Sequence, residues 1–387
     1  MMETTVPVEN LALFLFVFIT YIIAYLLKYH RGNQLARHGI DIDNLAIIIR
    51  TEKLNSLITK IGRRYARFWK IISTIGIFVG FYLMTIGLVF IHQNLISLLF
   101  RKTTASPVTP LIPGVTIGVG TLPYFIIAFI LVLIPHEFFH GFVASSEKID
   151  IKSSGLFFFL LFLGGFVEPD EDMFNKSSLL TKLRVFSAGS FANFLTYLVI
   201  LFLFTLFVHP TGVLVTSTLP NYPAYGTLEK GDIILYLNDT RISSVETLTS
   251  FMCNTSPGDK VVVTVKRNNS IKRLILVLER HPKNPQRGFM GVGLDNYYEN
   301  RFLYYAFWWS LVITSSVAVM NMLPIVPFDG GQIIANILAS IFFKNELKKS
   351  LAYKVAYTIS VYVGIILILN IILSFKVWGM KVSRFYP

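Results

Sequence analysis

His136, Glu137 and His140 stand in the pattern His-Glu-Phe-Phe-His, directly behind the apolar run of residues 124–135. A charged group at the centre of a membrane helix costs about 3 kcal/mol on insertion scales, so ionisable residues found there mark a functional site by default. Residues four apart share one face of a helix, so both imidazoles can reach one ion while Glu137 sits beside it. Zinc hydrolases use this spacing, with two ligands from one turn and a carboxylate that handles the proton of a bound water. The alternative is a chance polar string at a membrane interface. Such a string is rare in a chain with seven histidines, and rarer still inside an apolar segment.

A catalytic zinc site takes three protein ligands and leaves one position open. Cys253 is the single cysteine, which excludes a thiolate-rich site and an internal disulfide, so the missing ligand must be His or a carboxylate. Asp329, in residues 321–332 (NMLPIVPFDGGQ), is the leading candidate. It is expected at the end of an apolar helix broken by Pro324 and Pro327, with Gly330 and Gly331 letting the backbone turn close behind it. An Asp-Gly turn at a membrane exit is the plain structural alternative. Glu168 and Glu171, in a Pro- and acid-rich turn, are the other acids available as a third ligand.

The elements that must position these groups are membrane helices. The 387 residues are 53% hydrophobic and only 15% charged, where a soluble domain carries about 25% charged residues. Residues 11–27, 71–91, 123–144, 185–208, 302–323 and 355–375 each approach the ~20 apolar residues that a span needs. The first of these follows Glu3 and Glu9 rather than a basic patch and precedes no small-residue cleavage site, so it reads as a span and not as a cleaved signal. Residues 155–167 are too short to span and contain Gly164 and Gly165; a re-entrant hairpin fits them, buried against protein or lining a cavity. Residues 332–343 read as a half-helix or an interfacial helix.

The net charge of +13 reflects cytoplasmic loops and anionic headgroups, not a nucleic-acid partner. Loop 28–70 is rich in Lys and Arg against only Asp41, Asp43 and Glu52, which places it inside and the N-terminus outside. Residues 210–295 are polar with short alternating runs such as 260–266 (KVVVTVK), the signature of a small β-rich domain, which the topology puts outside.

Together these features resemble the site-2 protease family of intramembrane zinc metalloproteases, over residues 120–345. The resemblance implies zinc held by His136, His140 and Asp329, with Glu137 as the base. Phe328 stands where the family often has Leu before the Asp-Gly pair, a change of packing and not of chemistry. Residues 187–193 (SAGSFAN) are similar to the family's Gly-x-x-x-Asn stretch, with Gly189 permitting close helix approach and Asn193 in contact with substrate; Asn321 occupies the similar place before the Asp-Gly run. An amide can hold a substrate carbonyl or stabilise an oxyanion. An interhelical hydrogen bond is the alternative for both. Residues 164–170, with Gly165, Phe166 and Val167, look like the family's membrane-embedded hairpin, which pairs with an extended substrate. The insertion resembles a PDZ domain through Pro223, Ala224, Gly226, Leu228 and residues 231–238 (GDIILYLN). Gly212, Val213, Leu214 and Val215 are then the expected edge that takes a peptide strand, a generic β-barrel being the alternative.

The fold expected is a polytopic α-helical membrane protein of about six spans and a re-entrant β-hairpin, with an inserted PDZ-like domain. Its parts are residues 1–120 (N-terminal helices and basic loop), 121–208 (catalytic core), 209–296 (β-rich domain, outside) and 297–387 (C-terminal helices with the Asp-Gly motif). The expected activity is zinc-dependent cleavage within or beside the single transmembrane helix of a membrane protein substrate, in a prokaryotic plasma membrane. Two other readings are a membrane zinc protease with a glutamate third ligand, and a membrane-anchored peptide-binding scaffold without protease activity.

Overall fold

The computed structural model describes residues 8–43, 46–112, 114–159, 162–342 and 346–378. Among them the chain forms two compact units, one of residues 1–200 with 308–387 and one of residues 201–307.

The first unit holds the long helices. Helix α1 (Val8–Arg37) departs from helical geometry at Arg31. Two short strands follow, β1 (Ile40–Asp43) and β2 (Ala46–Thr51), then α2 (Lys53–Arg64) and α3 (Ala66–Leu99). A single 3-10 turn, Val119–Thr121, leads into α4 (Leu122–Ser146). Next come the hairpin of β3 (Ile151–Phe159) and β4 (Phe162–Pro169), the short α5 (Glu171–Lys176) and the long α6 (Leu179–Phe207). Among the described residues, five helical segments are long and apolar enough to cross a membrane: Ala66–Leu99, Val119–Ser146, Leu179–Phe207, Arg301–Met322 and Ser350–Trp378. The expected first span, residues 11–27, falls in α1 and is not among these five; side chains 11–14 and 16 lie outside the described residues.

The helices pack through small residues. Along α3, a Cβ on Gly76 would meet the Phe191 ring at 3.1 Å, one on Gly80 the Met322 Cε at 2.9 Å, and one on Gly87 the side chains of Leu323 and Val319 at 2.9 Å. Glycine there lets the backbones approach where lipid offers no hydrophobic drive for helix association.

The expected hairpin is present and is larger than residues 155–167. Strands β1-β2-β3-β4 form one antiparallel sheet, with Arg50 opposite Gly155 and Gly155 opposite Phe166. Two of its strands come from the basic loop that the sequence marks only as a topology signal. Ser154 Oγ donates to the Thr51 carbonyl across 103 positions of chain. The outermost strand, β4, lies beside α4, and the backbone of Val167 hydrogen-bonds the Glu137 side chain.

The second unit is β-rich. It contains β5 (Gly212–Thr218), β6 (Ile233–Leu237), β7 (Thr240–Arg241), α7 (Val245–Cys253), β8 (Lys260–Arg267), β9 (Ser270–Val277), β10 (Glu279–His281), β11 (Asn284–Phe289) and β12 (Val292–Tyr297). The main sheet runs β12-β5-β6-β8-β9, with β7 folded back on β6. Val213 and Val215, and Val261, Val263 and Val265, point into one core by period-two alternation, and Ile234 and Leu237, three apart, both join it because the register of β6 shifts between Ile234 and Tyr236. This order corrects one expectation. Residues 212–215 are not an open edge, because β5 is hydrogen-bonded to β12 on one side and to β6 on the other. The alternation marks a strand, but the neighbours of that strand are chosen by the fold.

The chain returns to the first unit through α8 (Arg301–Met322), α9 (Asp329–Ile337), a π-helical turn at Leu338–Phe342, and α10 (Glu346–Trp378).

Candidate metal centre

Helix α4 presents His136 and His140 on one face, as their spacing requires. Asp329 comes to the same point from a distant segment of the chain. It occupies the first turn of α9 rather than the end of an apolar helix, since residues 323–328 have already broken the chain path after α8. Gly330 and Gly331 make this re-entry possible. A Cβ on Gly330 would strike the Met322 carbonyl, and one on Gly331 would lie 2.5 Å from the Ile325 carbonyl carbon.

Three ligand atoms converge. His136 Nε2 lies 3.2 Å from His140 Nε2, and Asp329 Oδ2 lies 3.6 Å from the first and 3.4 Å from the second. With metal–ligand bonds near 2.0–2.1 Å, two corners of a tetrahedral zinc site stand about 3.4 Å apart. The three separations match that edge. Asp329 Oδ2 is buried and finds no hydrogen-bond partner among the described residues. Burying a carboxylate oxygen without a partner is costly unless a cation satisfies it. The donor set therefore fits zinc, and His136, His140 and Asp329 form a group of three able to hold a metal ion.

The outer faces of both imidazoles are anchored on α6. His140 Nδ1 donates to the Val185 carbonyl at 2.7 Å, which leaves the Nε2 lone pair directed at the centre. The His136 ring hydrogen-bonds the backbone of Gly189, and its Nδ1 lies 3.0 Å from the Asn193 amide. Asn193 is fully buried, and its Oδ1 lacks a partner in the opposite amide orientation. With the oxygen turned to Nδ1, the amide accepts the imidazole N–H, loses its orphaned acceptor and frees Nε2 for a metal. Asn193 thus contacts His136 from the neighbouring helix, the interhelical reading of that residue. Residue 136 meets 189 and 193 while 140 meets 185, so α6 runs antiparallel to α4 with a carbonyl or amide at each turn. Gly189 is required at the crossing: a Cβ there would strike His140 Nε2 and sit 2.6 Å from His136 Nε2.

Glu137 lies on the β4 side. A Cβ on Gly165 would meet its Cγ at 2.9 Å, so Gly165 lets the strand close on the carboxylate. Phe166 points elsewhere, with Arg50 stacked 6.0 Å from its ring. Asn321, on the last turn of α8, places its amide nitrogen 3.4 Å from His136 Nε2, at the rim of the centre. A cavity of about 270 Å³ opens beside the ligands, lined by His140, Asp329, Val167, Glu168, Glu171 and Phe186 among others. Glu168 accepts a hydrogen bond from Ser153 Oγ at 2.6 Å, and Glu171 sits in the first turn of α5. Both line the cavity, and neither belongs to the three-ligand group. The Val185 carbonyl left no trace in the sequence, because a backbone acceptor has no residue type.

This geometry is that of a metal centre built between membrane helices, with an acid beside it. The profile of peptidase family M50, the site-2 protease family, matches residues 124–369, and the chain belongs to that family of membrane metalloproteases. An uncharacterized protein of Methanocaldococcus jannaschii is 28% identical over 299 residues, 73% of this chain and 75% of its own length. A membrane-bound transcription factor site-2 protease homolog of Arabidopsis thaliana is 24% identical over 206 residues, 50% of this chain. That match spans 40% of the Arabidopsis protein. Among solved structures, the PDZ domain of an SdrC-like protein from Listeria innocua is 24% identical over 21% of this chain and 92% of its own, with a TM-score of 0.20.

Proposed function

We propose that this chain is a zinc endopeptidase that cuts membrane protein substrates within or beside a single transmembrane helix. The observation that carries the reading is the triangle of His136, His140 and Asp329 ligand atoms, with sides of 3.2, 3.4 and 3.6 Å around a carboxylate oxygen that has no other partner. Zinc bound there would act as a Lewis acid on the scissile carbonyl and lower the pKa of a bound water. Glu137 takes the proton of the attacking water and delivers it to the leaving amine. Asn321 offers its amide to the substrate carbonyl as negative charge develops on that oxygen. Residues 165–167 of β4 align an unwound substrate segment through main-chain hydrogen bonds. The substrate helix must open first, because its carbonyls are otherwise bonded within the helix, so Gly or Pro near the cleaved bond favours cutting.

Six spans, counting residues 11–27, put the N-terminus and residues 209–296 outside a prokaryotic plasma membrane and the centre toward its cytoplasmic half. Residues 121–208 and 297–387 then supply the catalytic core.

The test is zinc content of the detergent-purified full chain beside Asp329→Ala, followed by cleavage of a membrane substrate by the parent and Glu137→Gln. About one zinc in the parent, a sharp loss in Asp329→Ala and a metal-loaded but inactive Glu137→Gln support the proposal. Equal zinc in parent and Asp329→Ala turns attention to Glu168. A parent without zinc after reconstitution leaves the non-catalytic scaffold.

A further inference from the structure

Outside the metal centre, the described residues of the first unit include a largely buried cluster of charges that joins three helices. Glu147 follows the last residue of α4 and is only 9% exposed at its side chain. Its Oε1 accepts from Arg184 Nη1 on α6 at 2.7 Å, and Arg184 is itself 17% exposed. Its Oε2 stands 3.2 Å from Lys70 Nζ on α3, whose side chain is 39% exposed, and 3.4 Å from the Thr181 hydroxyl. Arg184 Nε donates onward to Thr74 Oγ1 at 3.0 Å. The cluster lies near the catalytic machinery in sequence on both helices. Glu147 is seven residues beyond His140, two turns along the same face. Arg184 immediately precedes Val185, whose carbonyl receives the His140 N–H at 2.7 Å.

We propose that the Glu147–Arg184 pair is a positioning clasp that sets the register of α6 against α4, so that the Val185 carbonyl holds the His140 imidazole with its Nε2 toward the metal. The inference rests on the zinc reading above. Between two helices in lipid no hydrophobic drive adds to close packing, so a polar contact carries a larger share of what fixes their register. A buried ion pair has one good geometry, and leaving it strands a charge without its partner. Arg184 suits this role better than Lys70, because its planar fork engages the carboxylate and Thr74 together, while Lys70 is a flexible point charge near solvent. Lys70 also comes from α3 and has no covalent path to the carbonyl that orients His140. Register shifts at Arg184 are passed directly to Val185, so the clasp acts on the outer partner of a ligand histidine.

The experiment measures zinc affinity of the detergent-solubilised full chain by competition with a chromophoric chelator, beside the melting temperature of the metal-free protein. Arg184→Met is expected to weaken zinc binding about 10-fold, the low end of what losing the partner behind a ligand histidine costs, because the Val185 carbonyl is displaced and not removed. Lys70→Met, which takes a cation from the same carboxylate, is expected to stay within about threefold of the parent whatever its melting temperature. The charge exchange Glu147→Arg with Arg184→Glu, made together with Lys70→Met so that the new arginine does not face the Lys70 ammonium 3.2 Å from position 147, is expected to recover affinity to within about threefold. Parent-like affinity in Arg184→Met, or an equal loss in Lys70→Met, overturns the clasp. If Arg184→Met does not fold, the exchanged pair decides: recovery supports the clasp, and a folded exchanged protein with weak zinc overturns it. A parent that takes up no zinc removes the zinc reading and the clasp together, whereas a zinc-loaded parent with an indifferent Arg184→Met removes the clasp alone.

Discussion

Gly189→Ala adds one methyl group where α6 crosses His136 and His140, the two histidines proposed to hold zinc. Its Cβ would fall 2.6 Å from both Cε1 and Nε2 of His136, and nearer still to His140 Nε2, where ordinary carbon contacts begin at 3.4 Å. Relief of the milder of these contacts requires an opening of about 0.8 Å between the imidazole and α6, roughly four times the ±0.2 Å tolerance of a metal–ligand bond. The ring can retreat only toward the centre or by losing its bond to Gly189 and Asn193. Either movement spoils at least one ligand, so zinc affinity should fall at least 100-fold, about 2.7 kcal/mol. Ala is favoured over Gly in a helix interior by about 1 kcal/mol, so helix propensity does not oppose the change. The assay is chelator competition on the full chain in detergent. The control is Gly364→Ala on α10, where an added Cβ meets nothing within 4 Å and zinc binding should be unchanged. Zinc affinity within threefold of the parent in Gly189→Ala would refute the reasoning, since α6 would then not be pressed on the imidazoles.

Three further outcomes follow from other contacts. Asn193→Ala removes the amide behind His136 Nδ1 and should cost 10- to 100-fold in zinc affinity, read by the same competition, while Asn193→Asp, which keeps an acceptor there, should cost less. Arg267→Met strands Asp232, which is 1% exposed and held by Arg267 Nη2 at 2.6 Å, and should destabilise the β-rich unit by about 3 kcal/mol, seen as faster amide exchange over residues 212–297 in the full chain. The acid limit of that unit follows from the same pair. Burial pushes the Asp232 carboxyl up, but the Arg267 and Glu229 hydrogen bonds outweigh it and hold the pKa below the ordinary 3.8. A depressed folded value means that the stabilisation is present above the unfolded pKa and is lost as pH falls through the folded one. Amide protection over residues 212–297 should therefore decline below about pH 4 in the parent, and should decline less steeply with pH in Arg267→Met.

Much of the centre was legible because it is local. His136 and His140 need only helical periodicity to share a face, and Glu137 needs only to lie between them. Asp329 was a candidate by chemistry, as a carboxylate expected at the end of an apolar helix between prolines and glycines, but an Asp-Gly turn explained those residues equally well; the family resemblance joined it to the histidines, and its place at the start of α9 depends on the path of residues 323–328. Asn193 was singled out only through the family resemblance, as a substrate contact or an interhelical hydrogen bond, and its contact with His136 exists because α6 runs antiparallel to α4 at a spacing that Gly189 permits.

The non-local pairings were not legible. Strands β1 and β2 sit in a loop whose charge count dominates its reading, and they become strands by joining β3 a hundred residues away. Residues 212–215 carry a clear strand pattern, yet alternation fixes only which side chains face the core and says nothing about which strands lie alongside. The sequence by itself determined the residue types, the periodicities and the run lengths: membrane helices, a two-histidine turn, an available carboxylate and a β-rich insertion. Tertiary structure alone decided the 3.2–3.6 Å triangle, the backbone carbonyl behind His140 and the strand order, because each depends on where distant segments come to rest against one another.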